Sequence, residues 1–319
     1  MAMTTSNTSF LQRAQVYSTE LKEILREEMM AQRYVRMLDG FPDGNTFNIP
    51  SIGQAQVDNY VEDSAVTYRP LDTGNFTFTI DKYLSSATYM TKKAEQDLFY
   101  ANELMSRFVP EQERSIMEHF ETTTFAAADS GNENSNRALN GVNMRISGGN
   151  AGVIELADFA YARYALKKQH VPDNNLVAIV DPSVEFQLNS LGNLVNVSNN
   201  PRFEGIVRDG IATGMRFVAN VYGFDVYCSN FLPDAFAGDT ILERNGSTDT
   251  DVSGGKVNLF FSADQSVNPF VGAFRQMPEV DYDYNKDHQR HEFVTTARYG
   301  VKLYRPENMV QVVSLTTIS

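Results

Sequence analysis

The sequence predicts an α+β fold in which one long helical segment lies between two β-rich regions. Residues 91–129 carry apolar side chains at helical spacing, residues 46–81 consist of short extended runs without a helical period, and the last third alternates again. A unit of mixed helices and strands separates the long helical segment from those last strands. With 319 residues, of which 42% are hydrophobic and 21% charged, the chain is large enough for two domains.

Composition and charge exclude several classes of protein. The formal net charge is −13, whereas tight nucleic-acid binding needs clustered lysine and arginine. No apolar run reaches the roughly 18 residues of a membrane span, and the N-terminus lacks the basic and apolar regions of a signal peptide. We therefore expect no membrane partner and a chain that stays where it is made. An acidic surface is compatible with surrounding DNA without gripping it.

The first 45 residues are predicted to form an N-terminal helical arm. Within residues 6–38, apolar side chains recur every three, four or seven positions and charged side chains occupy the opposite face. Coiled coil is one interpretation, but Glu28 interrupts the apolar seam that it needs. The other is a helix docked on the body or on a neighbour. A loop with two glycines and a proline, residues 39–45, ends the arm.

Residues 46–81 are predicted to be a β-ribbon. Phe76, Phe78 and Ile80 alternate with threonines in the run FTFTI, and the run TFNIPSI is its counterpart. About 16 residues per arm, at roughly 3.3 Å each, would make the ribbon about 50 Å long. An isolated two-stranded ribbon is marginally stable in water. Its apolar side must therefore lie either on this chain's body or on another subunit.

The long helical segment, residues 91–129, is predicted to be a spine of the fold. Pro110 lacks an amide donor and disfavours helical dihedrals in the residue before it, which predicts two helices meeting at a bend or one kinked helix. A spine of about 35 residues would span roughly 50 Å, so we expect an elongated or flat molecule. The polar, glycine-rich loop at 130–152 is predicted to hold a domain boundary.

The unit that follows is predicted to be compact and mixed. Helices are expected at 155–169 and 182–191 and a short one at 203–213, with a buried strand at 176–180, a strand at 215–233 and an exposed loop at 246–256. Strands then follow at VNLFF, at 293–303 and at MVQVV, which closes the chain. Since these strands need a covering helix, the spine is the candidate, and the body would be discontinuous.

One segment invites a metal-site hypothesis. Five oxygen-bearing side chains have the spacing of an EF-hand calcium loop: Asp281, Asp283, Asn285, Asp287 and Glu292. However, Lys286 replaces the glycine of the sharp turn and strand follows instead of a helix, which favours a solvated β-hairpin. His288 and His291 would need a helix to share one face as zinc ligands.

No other motif suggests a reaction. Cys228 lies in an apolar strand pattern without a catalytic partner motif, and His119 and His170 are isolated. No Walker loop, dinucleotide glycine pattern, nucleophile elbow or zincin helix occurs. We therefore expect no enzymatic activity, no catalytic residue, no cofactor and no metal.

The order of these parts resembles the major capsid proteins of tailed bacteriophages, the Hong Kong ninety-seven fold that encapsulin shells share. The similarity extends over nearly the whole chain and is carried by FNIPSIG (47–53), FTFTIDKYLSSATYMTKKAEQDLFYANEL (76–104), FETTTFAAADSG (120–131), NNLVAIVDPSVEFQL (174–188) and ARYGVKLYRPENMVQVVS (297–314). The resemblance implies four parts: an N-terminal arm (1–45), an extended loop (46–82), a peripheral domain with the spine helix (83–145 and 272–319) and an inserted axial domain (146–271).

The resemblance also implies a function. It is that of a coat protein that self-assembles into pentamers and hexamers, which form the icosahedral head of the virion around double-stranded DNA after assembly in the host cytoplasm. Portal, scaffolding and decoration or cement proteins are the implied partners. Some relatives weld extended loops through a Lys–Asn isopeptide bond, but residues 46–81 contain no lysine, so we expect noncovalent reinforcement or none. Because few residues precede the first predicted helix, any scaffolding is expected to be a separate chain.

Physical reasoning also favours assembly. A flat subunit whose projecting elements have no core of their own must bury them on neighbours, through interfaces of about 1,600 Å² each. We expect five apolar residues of the ribbon to lie over adjacent subunits: Phe47, Ile49, Phe76, Phe78 and Ile80. An encapsulin-like cargo shell is the alternative within the fold. A soluble enzyme or a carbohydrate-binding virion protein is the alternative outside it.

Overall fold

Two β-sheets and one long helix between them organise the described chain. The computed structural model describes residues 31–38, 44, 46–52, 57–59, 61–65, 68, 70, 73–97, 101–130, 137–149, 152–190, 217–244, 246 and 249–315. Of the predicted N-terminal arm, these residues include only its end, the short helix α1 (Ala31–Tyr34) and the strand β1 (Arg36–Met37). The rest of the arm and the predicted helix at 203–213 lie outside the described residues.

A two-stranded antiparallel ribbon follows β1, as the sequence predicts. It consists of β2 (Thr46–Ile52) and β3 (Thr73–Thr79), with Thr46 opposite Thr79 and Ile52 opposite Thr73. Each described arm has seven residues, which corresponds to roughly 23 Å. The expected 16 residues per arm is therefore too long for the described pairing.

The first sheet has four strands in the order β1, β14, β15, β4. Its long strands are β4 (Lys82–Thr91), β14 (Phe270–Asn285) and β15 (Arg290–Leu303). The strand predicted at 293–303 is confirmed, and Thr295, Ala297 and Tyr299 are buried on one side as its alternation requires. Strand β4 was not predicted, because its serines, threonine and alanine give a weak apolar contrast between its two sides.

The spine is one long helix preceded by a short one. Helix α2 (Lys92–Asp97) begins where β4 ends, and α3 (Ala101–Asp129) continues for 29 residues. Pro110 lies inside α3, so the prediction of two helices meeting at this proline is wrong. Helix α3 packs on the four-stranded sheet through Phe120, whose ring centroid lies 4.9 Å from that of Phe274 and 5.1 Å from that of Tyr299.

The second sheet has six strands in the order β7, β16, β13, β8, β10, β9. Their bounds are β7 (Arg145–Ser147), β8 (Leu176–Val180), β9 (Phe217–Val221), β10 (Phe224–Cys228), β13 (Lys256–Ser262) and β16 (Met309–Ser314). One side packs against α4 (Leu156–Lys168) and α5 (Pro182–Ser190). The other packs against the second half of α3, so that both sheets share this helix. The two helices and strand β8 agree with the sequence prediction.

Two expectations about this region need correction. The strand predicted at 215–233 contains a hairpin, because Tyr222 and Gly223 have φ of 50° and 90° and reverse the chain between β9 and β10. The segments 130–152 and 246–256, which were expected to be loops, contain short strands: β5 (Ala138–Leu139), β6 (Val142–Asn143), β7 and β12 (Asp249–Asp251). Strand β12 pairs with β11 (Thr240–Leu242), and β16 lies between β7 and β13.

A buried group of charges joins α3 to the six-stranded sheet. Arg145 of β7 is fully buried and donates from Nε to Oδ1 of Asp129, the last residue of α3, over 3.1 Å. Its Nη2 donates to Oδ2 of Asp239, before β11, over 2.5 Å. Burial raises the pKa of the Asp129 carboxyl, and the neighbouring guanidinium of Arg145 opposes that shift. The ion pairs thus fix three distant parts of the chain to each other.

Candidate assembly surfaces

The base of the ribbon is packed on this chain's own four-stranded sheet. Phe78 and Ile80 have exposed fractions of 0% and 2% and lie against Val271 and Ala273 of β14. At the crossing point stands Gly300, where a Cβ atom would lie 2.7 Å from the carbonyl oxygen of Thr79. The backbone of β3 therefore approaches β15 more closely than any side chain at position 300 allows.

A second set of contacts, made by Phe76 and Thr77, also attaches the base of the ribbon to the body. The ring of Phe76 meets that of Tyr304 edge to face, with 4.8 Å between their centroids. Lys302 places Nζ 5.1 Å from the centroid of Phe76 and donates a hydrogen bond of 3.0 Å to the carbonyl oxygen of Thr77. Phe76 is consequently half-buried within its own subunit.

The distal part of the ribbon is exposed. Phe47 is 42% exposed and Ile49 is half-buried. Beyond the paired strands, Val57, Val61 and Tyr68 are 95%, 65% and 93% exposed. Sequence reasoning did not select these three residues, although they lie in the apolar runs noted within 46–81. Burying such side chains on a neighbour would remove apolar area from water, so this surface, with Phe47, is a candidate contact with another subunit.

These positions bear on the prediction that five ribbon residues lie over adjacent subunits. Phe78 and Ile80 are already covered by their own chain, and Phe76 is partly covered. Phe47 keeps the largest exposed area of the five and Ile49 lies beside it. Contact with an adjacent subunit stays a prediction, and the distal end of the ribbon is now the part most exposed for such a contact.

The four-stranded sheet has one side against α3 and one open side. Thr295 donates to Oε1 of Gln112 in α3 over 3.1 Å, and the hydroxyl of Tyr299 lies 2.8 Å from Nδ1 of His119. Because strand side chains alternate, the neighbouring positions of β15 point the other way. This open face carries Arg298 near the ribbon base and Glu292 near the β14–β15 hairpin tip.

A cavity of about 720 Å³ lies on the open face at the base of the ribbon. Its lining residues come from β14, β15, β4 and the β3–β4 connection: Ile80, Asp81, Tyr83, Arg275, Gln276 and Arg298. Arg275 donates to the carbonyl oxygen of Gly44, and Asp81 lies 3.8 Å from Nζ of Lys82. Two guanidinium groups thus face a site with one carboxylate that already has a cationic neighbour.

The segment 281–292 forms the β-hairpin that the sequence favoured over a calcium loop. Asp281 and Asp283 lie in β14 opposite Val294 and Glu292, and both carboxylates are exposed. At the turn, Oδ1 of Asn285 accepts hydrogen bonds from the backbone amides of Asp287 and His288. Among the described residues, no group of three or more His, Cys, Asp or Glu is arranged to hold a metal ion.

His291 ties the hairpin to α2. Its Nδ1 lies 2.5 Å from the hydroxyl of Tyr282, and its Nε2 lies 3.3 Å from Oε2 of Glu95. A hydrogen bond from Lys92, and more weakly the charge of His291, lower the pKa of Glu95. His288 is exposed in the turn. The two histidines proposed as zinc ligands therefore occupy different surroundings, and His291 has a structural role.

The fold, the projecting ribbon and the surfaces around its base define a structural subunit of a capsid. A family model described as "Phage capsid protein" matches residues 75–312, and the chain belongs to this family. It is a phage capsid shell protein, a structural component of the virion capsid. A search of the curated proteins gave no match.

Solved capsid structures have the same fold. The capsid structure of the cyanophage P-SCSP1u has a TM-score of 0.70 and 16% identity, with 99% of this chain and 96% of that chain covered. For the capsid asymmetric unit of cyanophage Pam1 the values are 0.70 and 13%, with 100% and 99% covered. A chain of Mycobacterium phage Che8 has a TM-score of 0.69 and 16% identity over 96% and 98%. The expected α+β capsid fold is thus confirmed at the level of its mixed helices and sheets. No helix within the described ranges is long and apolar enough to span a membrane.

Proposed function

We propose that this chain is the major coat subunit of an icosahedral phage head. Copies form pentamers and hexamers, which associate into a closed shell that encloses double-stranded DNA. Assembly takes place in the host cytoplasm, and the shell incorporates a portal. The division into arm (1–45), extended loop (46–82), peripheral domain (83–145 and 272–319) and axial domain (146–271) belongs to the same proposal.

The observation that carries this proposal is the contrast between the two ends of the ribbon. Phe78 and Ile80 fix the base to the body, whereas Val57 and Tyr68 remain more than nine-tenths exposed at the distal end. A large exposed apolar surface on a projecting element is typical of a contact with another protein. In a shell of identical subunits, the nearest such surface belongs to the next copy.

The proposed contents and partners follow from charge and composition. The net charge of −13 favours a wall that surrounds DNA without binding its sequence or holding its phosphates tightly. Without lysine in residues 46–81, a weld from a ribbon lysine is excluded, so reinforcement comes from noncovalent contacts or from a separate decoration or cement protein.

A shortened ribbon tests the proposal. Since Ile52 lies directly opposite Thr73, residues 53–72 can be replaced by Asn-Gly, which suits a two-residue hairpin turn. We name this the short-ribbon variant. The full-length chain should form shells visible by negative-stain electron microscopy and fast-sedimenting by analytical ultracentrifugation. The short-ribbon variant should have the same circular dichroism spectrum and should not form shells.

Two outcomes would contradict the proposal. Full-length protein that remains a compact monomer at every concentration would exclude a shell subunit. Shells of normal size from the short-ribbon variant would exclude the ribbon as the element that joins copies. Shells isolated from infected cells should contain genomic DNA, whereas a packaged enzyme would indicate the encapsulin-like alternative.

A further inference from the structure

The cavity at the base of the ribbon contains an arginine whose side chain has no polar partner in the described ranges. Arg298 is half-buried, and its guanidinium makes no hydrogen bond or ion pair with any residue there. Arg275, in the same cavity, donates to a backbone carbonyl of Gly44 and keeps its positive charge uncompensated by a carboxylate among those residues. On a chain whose net charge is −13, this cavity is a local cationic site.

The opposite charge lies further along the same face. Asp281 and Asp283 lie in the distal half of β14 with exposed side chains, and the Asp281 carboxylate makes no hydrogen bond or ion pair with the described residues. Asp281 stands opposite Val294 and Gln276 stands opposite Arg298. Because Val294 and Arg298 are four positions apart on β15, they point to the same side of the sheet. The open face is therefore cationic near the ribbon base and acidic toward the hairpin tip.

Asp281 and Asp283 cannot reach Arg298 within one copy. Val294 and Glu292, which stand opposite them, lie four and six residues from Arg298 on β15, which is roughly 13 to 20 Å. That separation exceeds the combined reach of an arginine and an aspartate side chain. Glu279 stands nearer, opposite Thr296, but it accepts a hydrogen bond from Gln276 and forms no ion pair with a described arginine. Pairing of the two aspartates with these arginines therefore requires a second copy.

We propose that the arginine cavity of one copy receives the acidic β14 edge of a second copy, with Arg298 and Arg275 paired to Asp281 and Asp283. This inference rests on the proposed shell function and names one contact between subunits of the shell. Beyond Gly272, the outer side of β14 pairs with no strand of the described chain, so this edge is open to approach. A cavity of about 720 Å³ is large enough for two carboxylate side chains.

A second copy fits better than a nucleic-acid phosphate. Two guanidinium groups beside Asp81 are too few for the multiple phosphate contacts that nucleic-acid binding uses, and the surrounding chain is acidic. Each copy also carries both halves of the contact, so complementary charge is present at every junction. Such complementarity across an interface sets register and excludes wrong pairings.

Charge reversal with complementation between chains tests the proposal. One variant carries Arg298→Glu, and a second carries Asp281→Lys and Asp283→Lys. Each alone should raise the protein concentration needed for shell assembly by about tenfold or more, because like charges then face each other. An equimolar mixture should recover assembly, since the altered cavity of one chain accepts the altered edge of the other. Lys168→Glu, an exposed site on α4 with the same charge change as Arg298→Glu, is the control and should assemble normally.

Several results would overturn the inference. The inference fails if both variants retain the wild-type assembly concentration. It also fails if the mixture does not recover while each variant keeps the wild-type circular dichroism spectrum and melting temperature. Loss of retained DNA with unchanged assembly in Arg298→Glu would assign the cavity to phosphate. If Arg298→Glu unfolds, Arg298→Gln replaces it and should weaken assembly by a smaller factor. Adding Asp281→Asn and Asp283→Asn to Arg298→Gln should then not weaken assembly further. Wild-type protein that never assembles would overturn this contact and the proposed function together, whereas normal assembly of both variants would overturn the contact alone.

Discussion

Arg145 and Asp239 form an ion pair of 2.5 Å in which both side chains are fully withdrawn from water. The same guanidinium binds Asp129 at the end of α3, so that one cation compensates two carboxylates. A buried charge that loses its partner costs much more than an exposed one, because water cannot replace the lost contact. This group is the electrostatic link between the shared helix and the six-stranded sheet.

Replacing Arg145 by Met should destabilise the subunit by about 3–5 kcal/mol, since two buried carboxylates lose the cation to which they are hydrogen-bonded. Urea unfolding of the short-ribbon variant gives the free energy of unfolding without interference from assembly. Arg163→Met is the matched control, because Arg163 pairs with Asp173 where both side chains are more than one-third exposed. The control should change stability by less than about 1 kcal/mol. Equal losses in the two variants would contradict this role for Arg145.

Gly300→Ala should loosen the base of the ribbon. Its new Cβ would lie 2.7 Å from the carbonyl oxygen of Thr79 and 3.0 Å from Cα of Ile80, and neither backbone atom can move alone. The expected cost is about 1–3 kcal/mol, with faster proteolysis within the ribbon. Ser85→Ala, at an exposed position of β4, is the control and should leave the protease digestion rate unchanged. A Gly300→Ala variant with wild-type melting temperature and digestion rate would show that the crossing is not tight.

Phe78→Ala should lower the stability of the subunit, whereas Phe47→Ala should weaken assembly. Phe78 is fully buried, so its truncation should cost about 3–5 kcal/mol of subunit stability. Phe47 is 42% exposed, so its truncation should change unfolding little and should weaken shell assembly. Unfolding is measured in the short-ribbon background and assembly by sedimentation of the full chain. Normal assembly of Phe47→Ala together with Val57→Ser and Tyr68→Ser would exclude the distal ribbon as an interface.

Asp173 should contribute an acid-dependent increment of stability. It accepts hydrogen bonds from Lys167 over 2.7 Å and from Arg163 over 3.1 Å, and these contacts, that of Lys167 first, lower the pKa of its carboxyl below 3.8. A carboxyl with a lowered pKa in the folded state stabilises the fold above its unfolded pKa and loses that contribution as pH falls through the folded value. Relative to Asp173→Asn, wild type should therefore be slightly more stable at pH 6. The difference should begin to shrink near pH 3.8 and should be lost as the pH falls through the lower pKa of the folded state. Solvent limits the difference to less than about 1 kcal/mol. A difference that does not decrease below pH 3.8 would contradict the assignment.

Local patterns predicted the elements whose sequence is strongly periodic or uniformly apolar. The helix at 156–168, the strand at 176–180 and the alternation of β15 were predictable because burial acts on each of them with a simple period. Strand β4 was not predicted because its serines and alanine are compatible with several secondary structures. Only its pairing with β15 favours a strand there. Pro110 is exposed in α3, where water can satisfy the carbonyl that loses its amide partner.

Long-range pairing was beyond the reach of such patterns. Strand β16 is buried at every position, which suits either sheet, and its place between β7 and β13 depends on residues far away in the chain. The same holds for the ribbon. Alternation identified Phe47 and Phe78 as apolar, but only the close approach at Gly300 decides that Phe78 is covered by its own subunit. The arginine cavity likewise combines three regions that are separate in sequence.

Strand β14 runs from Phe270, whose ring lies 5.6 Å from that of Phe261 in the other sheet, to Asn285 at the hairpin tip. The strand is roughly 50 Å long and connects the junction of the two sheets to the hairpin tip. A force applied at the tip would therefore act on that junction through the whole length of the strand. The register is irregular between Phe274 and Glu279, and because such irregularities bend a strand locally, we expect β14 to bend there first.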